Sequence, residues 1–393
     1  MINFLQSNII FFIRANFFAK NCIFAVMNTS KSTEKAHFSH PEFALSLIKW
    51  YEGNGRALPW RETRDPYAIW LSEIILQQTR VQQGWDYWQR FMHRWPTVEQ
   101  LAAASEDEVL REWQGLGYYS RARNLLIAAR QVVELGGFPQ TIEGIKSLKG
   151  VGDYTAAAIG SMAFDLPAAV VDGNVYRVLA RHFGIATPIN STEGKKEFTA
   201  LAESLLPPHK AASYNQAIMD FGAVQCTPQS PRCLLCPLQE SCVALREGRI
   251  GELPVKEKKL QVKERHLIYI YVRWQGQTAI RRRGEGDIWQ GLWEPVNLTP
   301  TEGKGSPDVQ PLPFPLEGGE GRLIAKSFRH VLTHRVLLCD FYFWEPEEKP
   351  ELPESYQWIK EEDIDQYALP RMIELLLQKL NDKDGIRLTP DVP

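Results

Sequence analysis

The chain has 393 residues, room for two or three domains at about 150 residues each. With 44% hydrophobic and 23% charged residues it cannot be wholly disordered, collagen-like or a multi-span membrane protein. Lys and Arg total 45 against 47 Asp and Glu, a formal charge of −2. Attraction to nucleic acid by bulk charge is thus excluded, and any such binding needs a local basic patch.

Residues 1–27 are rich in Phe and Ile, carry Arg14 and Lys20, and hold no acidic residue. The two basic residues interrupt each apolar run before it reaches the roughly 18–20 residues of a spanning helix. No charged, apolar, small-residue order marks a cleavage site. The stretch reads either as a targeting segment or as sequence upstream of a start at Met27. Residues 1–37 are set apart as an N-terminal extension.

From Pro41 to about Arg246 apolar residues recur at helical spacing, predicting helices over Phe43–Tyr51, Pro66–Gln78, Arg121–Leu135, Tyr154–Phe164 and Asn174–Phe183. This part is assigned to a helical domain, 38–250. Within it Thr141–Ser147, the loop Leu148-Lys149-Gly150-Val151-Gly152 and a helix from Asp153 read as helix, tight turn, helix. The glycines allow a sharp turn and a close approach, and the free N–H groups of the following helix start favour an anion. Lys149 adds charge without reading a base, so the loop suits a DNA phosphate. Arg121, Arg123, Lys146 and Lys149 are the candidate basic patch.

Cys226, Cys233, Cys236 and Cys242, four of the six cysteines, are spaced C-x6-C-x2-C-x5-C within seventeen residues. Such clustering points to a metal site in a reducing compartment. Four thiolates can hold a [4Fe–4S] cluster or structural zinc. One close pair and one short loop suit the cubane better. Cys22 and Cys339 read as unligated.

The charged, weakly apolar stretch after this loop predicts an exposed linker, 251–264. Strands are predicted over Leu267–Trp274, Thr278–Arg282, Val331–Trp344 and Gln357–Ile359, with a Gly/Pro-rich loop over 297–321 and a helix over Pro370–Leu380. The fold class is mainly α, with a smaller α+β domain over 265–381 and a tail over 382–393.

The hairpin, an aspartate some twenty residues later and the cysteines, in this order, resemble the endonuclease III, helix-hairpin-helix superfamily of DNA glycosylases. Leu58-Pro59-Trp60-Arg61, then Pro66 to Thr79 (PYAIWLSEIILQQT), Gly115 to Asn124 (GLGYYSRARN), Val171-Asp172-Gly173-Asn174-Val175 and Asn215 to Asp220 (NQAIMD) are similar to the MutY branch, the adenine glycosylases. The match spans 41–246. The C-terminal part resembles that family's MutT-like (Nudix-like) domain more loosely. It lacks the G-x5-E-x7-R-E-x2-E-E-x-G run, so no pyrophosphohydrolase activity is expected.

Glu73 lies amid Trp70, Leu71, Ile74, Ile75 and Leu76, surroundings that raise a carboxyl pKa; a solvated helix face is the plainer alternative. Asp172, before a Gly-Asn turn into a helix, also reads as an N-cap. The resemblance implies that Glu73 protonates a flipped adenine at N7. It implies that Asp172 stabilises the sugar cation or attacks it, with Asn174 orienting both. Tyr154 stands where bifunctional relatives carry a Schiff-base lysine, and Tyr176 where some MutY proteins carry a lysine, so a monofunctional enzyme is expected. Gln78 and Tyr118 match residues that wedge the duplex. Arg61 and Leu116, inside the first two signatures, are counted with Arg121, Lys149, Gly150, Val151 and Gly152 as DNA-binding. Leu332, Thr333 and His334 match a Phe-Ser-His-like loop that reads 8-oxoguanine, with Leu replacing the ring and Thr keeping the hydroxyl.

These readings predict a hydrolase that excises adenine opposite 8-oxoguanine or guanine in double-stranded DNA. It would carry a [4Fe–4S] cluster and act as a monomer away from membranes, in the bacterial cytoplasm at the nucleoid. An endonuclease III-like glycosylase/lyase for damaged pyrimidines and a non-catalytic DNA-binding module are the competing functions. Tyr154 weighs against the first, the retention of Glu73 and Asp172 against the second.

Overall fold

A computed structural model of the chain describes residues 40–257, 263–299, 321–332 and 335–384. The N-terminal extension with Cys22, part of the linker, most of the Gly/Pro-rich stretch, Thr333, His334 and residues 385–393 lie outside the described residues.

The helical part runs α1 (His40–Asn54), α2 (Pro66–Leu76), α3 (Val81–Arg94), α4 (Val98–Ala103), α5 (Glu106–Glu112), α6 (Ser120–Glu134), α7 (Ile142–Lys146), α8 (Asp153–Phe164), α9 (Gly173–Phe183), α10 (Thr192–Ser204), α11 (Ala211–Asp220) and α12 (Val243–Arg246). Local chemistry sets several starts. Asp65 caps α2 with Pro66 at its first position, and Thr97/Gln100 and Ser105/Glu108 form reciprocal capping boxes on α4 and α5. α2 is buried on nearly every face, Trp70, Leu71 and Ile75 wholly so. It is the strut on which α3 and α8 pack. Its end falls at Leu76, short of the predicted Gln78, because Gln78 takes a left-handed backbone with φ +59°.

The C-terminal part is a six-stranded mixed sheet ordered β4-β5-β1-β3-β2-β6. Its strands are β1 (Lys263–Trp274), β2 (Gln277–Arg282), β3 (Trp293–Asn297), β4 (Gly321–Val331), β5 (Arg335–Trp344) and β6 (Tyr356–Lys360), followed by α13 (Arg371–Asp384). β1 and β5 run parallel, from Lys263 opposite Arg335 to Val272 opposite Trp344; the other pairs are antiparallel.

Three expectations need correction. The run Val331–Trp344 is not one strand: β4 ends at Val331 and β5 starts at Arg335. No Gly or Pro lies between them, so the break left no trace in the sequence pattern. β3 escaped notice because it contains Pro295, which argues against a sheet position. β4 escaped because register shifts between Leu323 and Ala325 and between Ala325 and Phe328 break its alternation.

The first half of the linker is not an exposed tether. Leu253 is buried, its carbonyl accepts from Arg181 Nε at 3.0 Å, and the Val255 carbonyl accepts from Ile189 N at 3.0 Å. One apolar core runs through both parts. Arg282 pairs with Glu106 and Asp107, both at 3.0 Å, and Arg123 Nη1 donates to the Gln290 carbonyl at 2.6 Å. Arg123 is therefore spent on this joint rather than on a basic patch.

Inside the sheet unit buried Glu294 accepts from Tyr269 (2.8 Å), Arg281 (2.8 Å) and Asn297 (3.0 Å), and pairs with buried Arg283. Removing one member of such a pair leaves an uncompensated buried charge. Glu294→Leu is expected to destabilise the protein by about 3 kcal/mol or more, read as a lowered thermal unfolding midpoint.

Candidate active site and cluster loop

The Glu73, Tyr154 and Asp172 side chains meet where α2, α8 and the start of α9 converge. Glu73, on α2, is 9% exposed. Burial pushes its carboxyl up to about 7; the Tyr154 hydrogen bond opposes this, Asp172 reinforces it, and Arg61 opposes it. Tyr154 is in the first turn of α8, its hydroxyl hydrogen-bonded with Glu73 and 3.5 Å from Met219 Sδ. Burial and the two carboxylates hold its phenol well above the usual range.

Asp172 is the N-cap of α9. Oδ1 accepts from Asn174 N and Val175 N, both at 2.8 Å, and Oδ2 from Asn174 Nδ2 at 2.7 Å. Burial raises its pKa despite these bonds. Asn174 Oδ1 in turn accepts from Arg177 Nη2 at 2.8 Å, and the same nitrogen donates to the Gly222 carbonyl at 2.6 Å. A carboxyl poised near neutrality thus faces a carboxylate held by donors, the arrangement that separates an acid from an anion.

Sequence reasoning missed Asp220, Gly222 and Gln216 as site residues. Asp220, fully buried, accepts from Arg56 N (2.8 Å), Arg56 Nη2 (2.5 Å) and Arg61 Nη1 (2.6 Å). Its pKa is lowered: burial works against the anion and the two arginines outweigh it. Gln216 Oε1 accepts from Tyr51 at 3.1 Å. Beyond Asp220 the chain makes a π-turn, Phe221–Gln225. There a Cβ on Gly222 would lie 2.6 Å from Asn174 Cβ and 2.8 Å from its carbonyl oxygen. The NQAIMD motif pointed at this region without disclosing that packing.

Of the residues expected to touch DNA, Gln78 and Tyr118 are exposed, with φ +59° and +48°. A left-handed backbone costs a non-glycine residue about 1–3 kcal/mol, so the surrounding structure imposes it. Arg61, Leu116, Arg121 and Val151 are corrected: their side chains turn inward. Arg61 is ion-paired to Asp220 beside Glu73, and Leu116 and Val151 belong to the core. Arg121 is buried, its guanidinium spent on carbonyls of α2 and the Leu116–Gly117 turn.

The hairpin presents exposed Lys149, Gly150 and Gly152. Gly150 has φ +80°, and a Cβ there would lie 2.8 Å from Asn124 Cβ, so glycine is required twice over. Lys149 N donates to Gln131 Oε1 at 2.8 Å, and Lys146 pairs with Asp153. In the C-terminal part Leu332 is half-buried, its N–H donating to the Arg335 carbonyl at 2.8 Å between the ends of β4 and β5; Thr333 and His334 are outside the described residues.

Cys226, Cys233, Cys236 and Cys242 line one part-open cavity with Gln225, Arg232, Leu245 and Ile250. Four thiolates around one cavity are the donor set of an iron–sulfur cluster. Arg181 Nη1 lies 3.5 Å from Cys226 Sγ, supplying positive charge beside the thiolates. Burial pushes the Cys236 thiol up to about 12, so binding the cluster displaces its proton.

Residues 71–208 match the HhH-GPD superfamily of base excision DNA repair proteins, 226–242 the iron-sulfur binding domain of endonuclease III, and 268–379 the NUDIX domain. The chain is 36% identical over 254 residues to the adenine DNA glycosylase of Buchnera aphidicola subsp. Schizaphis graminum, covering 64% of this chain and 73% of that relative. It belongs to the adenine DNA glycosylase family. The human adenine DNA glycosylase is 46% identical over 213 residues, which cover 51% of this chain and 39% of the human protein. A solved thermostable thymine-DNA glycosylase superposes with TM-score 0.50 at 32% identity, over 53% of this chain and 97% of that one. Within this family the cofactor is a [4Fe–4S] cluster, which the four cysteines are placed to hold and which, when bound, cross-links their loop.

Cys236→Ser is expected to lower iron content and visible absorbance in the purified protein; unchanged iron would refute the ligand assignment. Gly222→Ala should displace Asn174 and slow single-turnover base release at least about tenfold while cluster absorbance persists.

Proposed function

We propose that this glycosylase hydrolyses the N-glycosidic bond of adenine mispaired with 8-oxoguanine or guanine in duplex DNA. The observation that carries the reading is the Glu73 carboxyl, buried beside Tyr154 and raised to about 7, facing the hydrogen-bonded carboxylate of Asp172. Adenine must first leave the stack, at a cost of a few kcal/mol. Gln78 and Tyr118 fill the space it vacates. Protonated Glu73 then gives its proton to N7, making adenine a better leaving group.

As the bond between C1′ and N9 breaks, its electron pair goes to the base and positive charge grows on the sugar. Asp172 stands against that charge, with Asn174 and the α9 amide groups fixing its orientation. Water adds to C1′ and loses a proton, leaving an abasic site. Tyr154 is a phenol and cannot form an imine, so strand cleavage is not part of the reaction.

Preference for 8-oxoguanine is read from the sequence after Leu332, where Thr333 carries a hydroxyl and His334 a ring nitrogen able to hydrogen-bond the oxidised purine. The lysine and amide groups of the hairpin suit phosphate contacts that fix position without reading sequence. Cleavage of nucleoside diphosphates is not part of the proposal, because the acidic run it needs is missing.

Single-turnover base release on duplexes with A opposite 8-oxoguanine, G or T tests the proposal. Faster release from the first than the second, none from the third, and strand breaks only after alkali are expected. Strand breaks without alkali would restore the glycosylase/lyase reading. Glu73→Gln should lose at least about 100-fold in rate while mispair binding survives; near-normal turnover would remove Glu73 as the acid.

The rate should also fall as pH rises above about 7, because Glu73 must be protonated. It should fall on the acid side as Asp172 takes up a proton, at a pH above the usual carboxylate range because burial raises its pKa. An alkaline limb that persists unchanged in Glu73→Gln would contradict that assignment.

A further inference from the structure

Arg121 begins one turn beyond Tyr118, at the start of α6, and its guanidinium lies between the two segments that present the wedge side chains. Nη1 donates to the carbonyls of Ile74 and Ile75, both at 2.9 Å, and of Gln77 at 2.6 Å, where α2 ends before Gln78. Nη2 donates to the carbonyls of Leu116 at 3.4 Å and Gly117 at 3.2 Å, in the turn before Tyr118. Both nitrogens also reach Thr79 Oγ1, at 3.5 and 3.4 Å.

The guanidinium carbon is 4.9 Å from the Trp113 ring centre and 5.7 Å from that of Tyr118. No carboxylate among the described residues shares this pocket. The charge is balanced by carbonyl oxygens at the negative end of α2. Burial lowers the pKa of Arg121 to about 10.

Gln78 and Tyr118 follow the two clamped segments, and both are non-glycine residues in the left-handed region. A bare loop would relax from that conformation. We infer that Arg121 is a positioning residue that holds Gln78 and Tyr118 at a fixed separation, so that the two enter the duplex together when adenine is unstacked. It acts through carbonyl geometry, touching neither the base nor the phosphates. Lysine would keep the charge but not the planar fork that spans both segments. The inference rests on the preceding reading, in which these two side chains fill the vacated space.

The test uses full-length, cluster-loaded Glu73→Gln protein, which binds without excision. Its probe is a duplex carrying 2-aminopurine in place of adenine opposite 8-oxoguanine. The fluorescence increase on binding measures unstacking. Adding Arg121→Lys is expected to cut the increase at saturation at least about threefold, with duplex affinity changed less than about threefold and cluster absorbance intact. An undiminished increase overturns the inference, as does an equal loss of affinity and fluorescence, which marks a purely structural role.

If Arg121→Lys does not accumulate as folded protein, Thr79→Val decides in the same background: a reduced increase supports the role and an unchanged one overturns it. A Glu73→Gln parent that binds but gives no increase overturns the reading of the site itself, and this inference with it. An increase shared by parent and Arg121→Lys overturns the inference alone.

Discussion

Keeping one carboxyl group out of water is the constraint on which the site depends. Glu73 sits on a helix buried on nearly all sides, and its acidity follows from that setting. Burial favours the protonated form, the Tyr154 hydroxyl and the nearby Arg61 favour the anion, and the balance lies near neutrality. Asp220 makes the balance possible: by pairing with Arg56 and Arg61 it keeps Arg61 from pairing directly with Glu73. A guanidinium paired with Glu73 itself would pull the carboxyl down toward its ordinary range.

Several arginines serve this protein as internal connectors. Arg61, Arg121, Arg177 and Arg181 all fall in stretches that read as DNA-facing or merely helical, yet each donates to groups inside the molecule. Arg177 and Arg181 leave the same face of α9. One reaches the Gly222 and Cys226 carbonyls and the other the Thr227 and Pro228 carbonyls. The helix that Asp172 caps is thereby bound to the start of the cluster loop. The planar guanidinium bridges several carbonyls at once, which a lysine ammonium on a flexible stem does less well.

What the sequence disclosed divides along physical lines. The helices that carry the site were legible within a residue or two, because their apolar spacing and the Asp172 cap are local properties. Around Glu73 the apolar neighbours left a solvated face as the plainer reading, and the resemblance to the glycosylase signature tipped it to a buried acid. The orientation of Arg61 and Arg121 was not, since a basic residue in a motif looks alike whether it faces solvent or a helix end. Gly222 against Asn174 was equally hidden: it depends on a π-turn bringing together residues 48 apart in the chain. In the sheet, Pro295 and the shifted register of β4 masked two strands whose pairing is decided by partners distant in sequence.

The irregular β4 has a consequence for how the molecule behaves in company. Among the described residues it is an outer strand of the sheet, and such edges invite another chain to add a strand. Here the row of backbone groups is broken by two register shifts and a left-handed Ser327, while Arg322, Lys326 and Arg329 stand exposed along it. A foreign strand laid along this edge would lose alignment within a few residues and would meet like charges if it came from a second copy. The same distortions that hid the strand from sequence reading guard the sheet against growing by self-addition.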